Sequence, residues 1–152
     1  MLFLMNLAGG MISSLISVAV FLITGYAFYK LASVRMLPNA WLCFIPLFSL
    51  YMNGMIIDSL KYNHYKINRY ICDIPMSYAL PILALARNFL AVSFVTDLIG
   101  LVLVLADVLL YYFVFSLYAE PKSKVLFTVL SVLIPFVGPL LILYVLKDKR
   151  YY

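Results

Sequence analysis

Charged residues divide the chain into long apolar stretches. Residues 1–29 contain none, and a helix needs about 20 consecutive apolar residues to cross a hydrocarbon layer. The first helix is predicted at about 11–31. Near its start, Gly10 and Ser14, and likewise Ser13 and Ser17, stand four apart. Small residues at that spacing let two helices approach closely, so these four mark a candidate helix-packing face. Residues 36–57 are also free of charge but carry Pro38, Asn39, Pro46, Asn53 and Gly54. Pro46 removes a backbone hydrogen bond near the centre. Two shapes fit: a kinked span, or a re-entrant hairpin with its tip at Ile45 and Pro46. Residues 74–118 are long enough for two helices, at about 74–93 and 97–118, turning near 93–96. The last stretch, 125–146, is interrupted at Ile134-Pro135 and Gly138-Pro139. Pro46, Pro135 and Pro139 are therefore the expected hairpin breaks.

The two proline-broken stretches share a weak repeat. Ile45-Pro46 follows Tyr29 at nearly the same interval as Ile134-Pro135 follows Tyr118, and Arg35 matches Lys124. Basic residues tend to stay on the cytoplasmic side of a membrane, which separates the topologies. With five full spans, Lys30, Arg35, Lys147, Lys149 and Arg150 face Lys61, Lys66, Arg69, Lys122 and Lys124 across the membrane. That arrangement has no bias. If both proline-broken stretches re-enter, all ten lie together. The expected fold is thus an all-α integral membrane protein, a single polytopic domain. It has three full transmembrane helices plus two proline-broken re-entrant hairpins, with the N-terminus outside; five transmembrane helices are the alternative.

Composition agrees. Of 152 residues, 66% are hydrophobic and 11% charged, with a net charge of +5. Mean hydropathy is +1.08. Soluble domains are about 45–50% apolar and about 25% charged. Eleven basic and six acidic side chains are too few to cover a soluble globule. This excludes a cytosolic enzyme or a nucleic-acid-binding domain, and it assigns the basic excess to loops that set orientation and meet anionic lipid headgroups.

Asp107 is the residue that needs a partner. A carboxylate at the centre of a membrane helix costs about 2.5–3.5 kcal/mol on insertion scales. With a turn near residue 95, Arg87 and Asp107 differ in depth by roughly 6 Å, within arginine reach. They form the expected intramembrane polar pair, either fixing helix register or lining a polar path. Asp97 reads as an N-cap or early-turn residue. His64 and Cys72, in the basic loop before a span, have the residue types of thiolate–imidazole chemistry. No metal site, phosphate loop or cofactor motif is present in the sequence.

The stretch from Leu37-Pro38-Asn39-Ala40-Trp41 through Ile45-Pro46 to Tyr51 resembles a signature of small bacterial polytopic membrane proteins whose domain has no assigned function. Ser49 stands where that family usually has asparagine. Ile134-Pro135-Phe136-Val137-Gly138-Pro139 resembles hairpins that precede the catalytic domain of some phospholipid synthases. His64 and Cys72 resemble the pair of membrane endopeptidases that process staphylococcal-type quorum-sensing peptides, though Tyr62-Asn63 replace that family's glycine pair. The resemblances imply a multi-pass protein of a bacterial plasma (inner) membrane, its Lys and Arg loops mostly cytoplasmic, and transfer no catalytic residue. The expected role is a non-enzymatic accessory subunit that meets the lipid bilayer and another membrane protein or a second copy. A homo-oligomeric channel or transport module through Asp107 and Arg87 is the alternative, and a Cys-His membrane peptidase a third.

Overall fold

The structure, a computed structural model, describes residues 2–61, 74–89, 93–120, 122–134 and 136–147, with the side chains of residues 2–13 and of Leu47 left out. The described residues form six α-helices: α1 (Leu2–Val34), α2 (Pro46–Lys61), α3 (Met76–Phe89), α4 (Ser93–Tyr118), α5 (Lys124–Leu133) and α6 (Val137–Val145). A 3₁₀ turn (Ala40–Phe44) precedes α2. Among the described residues there is no strand. Two helices, α1 and α4, are long and apolar enough to cross a membrane.

Helix α1 extends past both predicted ends because no proline or charge stops it earlier. It ends in a Schellman motif: Leu37 N–H donates to the Ala32 carbonyl and Met36 N–H to that of Ser33. Met36 takes the left-handed conformation the motif requires, at φ 54°, a role glycine usually fills. Pro38 follows and prevents resumption. Asn39, which tolerates left-handed geometry, also has positive φ (58°) and leads into the 3₁₀ turn.

From there the chain doubles back along α1. A Cβ placed on Gly25 would lie 2.9 Å from the Phe44 ring, and Tyr29 packs on the same ring. Pro46 occupies the first position of α2, where its missing N–H costs nothing. The chain reverses there, and α2 returns until Arg35 donates hydrogen bonds to Ser59 Oγ and its carbonyl. Residues 35–61 thus form a hairpin whose two ends meet beside the C-terminus of α1.

Helix α3 runs antiparallel to α2, its first turn against Gly54 and Asp58. Helix α4 returns alongside it, with the Arg87 guanidinium over Gly100. Therefore α1 and α4 are parallel. After α4 the pattern recurs. Helix α5 packs back along α4, where Phe115 and Phe127 meet edge to face, and α6 returns so that Tyr144 and Lys147 share a cleft with Tyr118, Glu120 and Ser123.

The two halves have matching neighbours. Each long helix carries its own descending limb, and each returning limb packs on the opposite long helix, α2 on α4 and α6 on α1. Helix α3 is the element outside this pseudo-two-fold pattern. Core side chains come from both halves: Phe28 and Leu31, Met52 and Ile56, Phe113 and Ile142.

Several details differ from the sequence expectation. Ser93 already begins α4, and Thr96 Oγ1 bonds back to the Ser93 carbonyl, so 93–96 is the first helical turn rather than the connection. Asp97 follows that turn and is not an N-cap. Pro139 lies in the first turn of α6, where an absent N–H is tolerated, instead of at a break. Pro135 falls outside the described residues, between α5 and α6. Of the small-residue face, Ser14 and Ser17 are exposed; the side chains of Gly10 and Ser13 are not described.

Candidate functional site

Two polar constellations stand out. The first is at the mid-height of α4. Asp107 is exposed and lines an open cleft of about 230 Å³ together with Val104, Tyr111, Ser131 and Val132. The cleft exists because α5 stops at Leu133, leaving its last turn beside α4 with no helix continuing past it. Its floor is tightly built. The Tyr111 hydroxyl lies against Gly138, where a Cβ would approach to 2.6 Å, and the Ser131 hydroxyl donates to the Phe127 carbonyl at 2.7 Å.

The expected Arg87–Asp107 pair does not form. Arg87 lies over Gly100, seven residues before Asp107 and about 10 Å away along the helix. The sequence estimate failed because the connection between α3 and α4 lies earlier than residue 95, which lowers Arg87 relative to Asp107. A two-turn offset is beyond a register adjustment. No ion pair or hydrogen bond joins Asp107 to any described residue.

The second constellation closes the junction of α2 and α3. Asp58 accepts from Met76 N–H at 3.1 Å and from Ser77 N–H at 3.0 Å, satisfying two of the otherwise orphaned donors at the α3 N-terminus. Lys61, only 5% exposed, donates to Asp58 at 2.8 Å and to the Ile74 carbonyl at 3.3 Å. Burial pushes the Asp58 carboxyl up, but Lys61 and the N–H groups of Ser77 and Met76 together outweigh it and hold the group below the ordinary carboxylate range. Sequence reasoning missed this cluster. The available signal was Asp58 three residues before Lys61 at a helix end; the α3 N-terminus that completes the cluster is brought in by the fold.

Charge is segregated. Lys30, Arg35, Lys61, Lys122, Lys124 and Lys147 lie at the end where α1 and α4 finish, and Arg87 is the one described cation toward the other end. His64 and Cys72 lie outside the described residues. Cys43 is 1% exposed in the core and has no imidazole partner among them. No three metal-ligating side chains converge among the described residues. No protein-family model matches this chain, and no curated protein or solved structure is similar to it.

Proposed function

We propose that the chain is a non-enzymatic integral membrane protein of a bacterial plasma membrane, acting as an accessory subunit of a larger membrane complex. Helices α1, α3 and α4 are its spans, residues 35–61 and 124–147 are re-entrant hairpins, and the basic end is cytoplasmic. One observation carries the membrane reading: the outward surface at mid-height is apolar. On α1, Leu15, Ile16 and Leu22 are exposed, and on α4, Leu98, Leu101 and Leu105. A water-soluble bundle buries such residues; here they form the solvent-facing layer of both long helices. Anionic lipid headgroups suit the cations at the basic end other than the buried Lys61, namely Lys30, Arg35, Lys122, Lys124 and Lys147.

The accessory role is supported by the open cleft at Asp107, which the chain presents on its apolar outer surface. A channel built from Arg87 and Asp107 has less support, because the two side chains do not share a path.

Topology decides first. Single cysteines at Ser33→Cys, native Cys72 and Tyr152→Cys, in a background lacking Cys43, are labelled with a membrane-impermeant thiol reagent in intact cells. All three are expected to be shielded. Labelling of Cys72 alone would replace the hairpins with five ordinary spans. For the accessory role, gentle extraction is expected to yield a stoichiometric complex with a second, larger membrane protein, and a pure homo-oligomer would overturn it.

A further inference from the structure

The cleft beside Asp107 combines an open shape with an uncompensated charge. We infer that it is the docking site for a membrane-spanning helix of a partner protein that carries a lysine or arginine at mid-depth. This rests on the membrane reading above.

Asp107 stands close to the middle of the 26-residue α4, with Val104, Leu105 and Val132 exposed around it. Nothing within the described chain neutralises it. The Ser131 hydroxyl is already committed to Phe127, and Arg87 is engaged two turns away over Gly100. The other described cations lie at the basic end. An ionisable group at this depth requires a partner, and the apolar rim excludes water-borne ions in favour of a group delivered on an apolar scaffold. The cleft holds the equivalent of about eight waters, space for one long side chain but not for a helix. The partner helix therefore lies against the rim formed by α4 and α5 and inserts a single basic side chain.

A second copy does not satisfy these conditions. In the same membrane orientation it presents Arg87 at the level of Gly100 again, and no described cation at the level of Asp107. Among the described residues the complementary charge is missing, and a different protein supplies it.

The test uses the full chain reconstituted in phosphatidylcholine vesicles, with three synthetic leucine-alanine peptides of about 20 residues that differ only in a central Lys, Leu or Glu. Carbonate extraction and protease accessibility are read first; failure to integrate would overturn the membrane reading itself. For integrated protein, energy transfer from donor-labelled chain to acceptor-labelled peptide reports association. The Lys peptide is expected to bind about tenfold more tightly than the Leu peptide, in line with interhelical polar contacts in membranes, and the Glu peptide no better than Leu. Asp107→Asn should remove the preference, whereas Asp97→Asn should keep it. Equal binding of the Lys and Leu peptides would overturn the inference alone, as would a Lys preference that survives Asp107→Asn. Transfer between copies of the chain that is lost in Asp107→Asn would assign the cleft to self-association and overturn it as well.

Discussion

Gly54 is where a single methyl group should do most damage. A Cβ at this position would lie 2.3 Å from the Met76 carbonyl oxygen and 2.5 Å from the Met76 carbonyl carbon and Ser77 Cα. All three are backbone atoms at the start of α3, so no side chain can rotate away. Ordinary contact begins near 3.4 Å, and α2 and α3 must separate by about 1.1 Å to admit alanine. Overpacking of this kind costs about 1–3 kcal/mol. The same movement stretches the Asp58 bonds to Met76 and Ser77 from 3.1 and 3.0 Å to about 4 Å, beyond hydrogen-bond range. Losing them adds roughly 1.5–3 kcal/mol. Against this, alanine gains about 1 kcal/mol of helix propensity over glycine. The expected net loss for Gly54→Ala is about 1.5–5 kcal/mol, a fall in melting temperature of roughly 3–20 °C in detergent.

The other glycines provide the internal scale. Gly100→Ala meets only the flexible Arg87 head at 3.6 Å and should be neutral or stabilising, while Gly138→Ala meets the movable Tyr111 ring and should fall between the two. Thermal unfolding followed by size-exclusion fluorescence ranks the series. A Gly54→Ala protein melting within about 2 °C of the parent, or below Gly100→Ala in severity, would refute the close approach of α2 and α3.

Four further outcomes follow from other features of the structure. Asp58→Asn strands the buried Lys61 ammonium and should cost about 2–3 kcal/mol, read as a lower melting temperature. Because the folded carboxyl titrates below its unfolded value of about 3.9, its stabilisation is complete above that pH and is lost as pH falls through the lower folded value. The parent should therefore hold its melting temperature from neutral pH to about 4.5 and weaken only in stronger acid; a loss centred near pH 6 would exclude Asp58 as its source. Met36→Gly should raise stability by about 0.5–1 kcal/mol by relieving left-handed strain at a residue 75% exposed, whereas Met36→Val should lower it. Arg35→Ala removes both bonds to Ser59 and should increase proteolysis near residues 35–40, a region otherwise held by the end of the hairpin.

What could be read from the residues alone was what local chemistry dictates. The absence of charge and proline over residues 2–29 forces a long helix wherever the chain is placed, and α1 is that helix. Pro46 must interrupt a helix or begin one, and it begins α2. Apolar content likewise needs no neighbour to be recognised, whereas the gathering of Lys and Arg at one end depends on how the two proline-broken stretches fold. Other features depend on distant partners. The pattern at residues 36–57 allowed a kinked span or a hairpin, and the choice rests on Arg35 meeting Ser59 and Phe44 meeting Gly25, contacts between segments that no periodicity reports.

Asp107 shows the same division. Its expense in an apolar helix is visible from sequence, but its partner depends on helix offset, and an earlier connection between α3 and α4 moves Arg87 two turns away. The Asp58 cluster escaped altogether, because half of it consists of backbone N–H groups that every residue possesses and that only the fold brings within reach. Sequence by itself determined which segments are helical and which side chains are costly where they stand. Tertiary structure decided which of those costs are met within the chain: Asp58 is satisfied by a helix end delivered to it, and Asp107 is left open because α5 ends beside it.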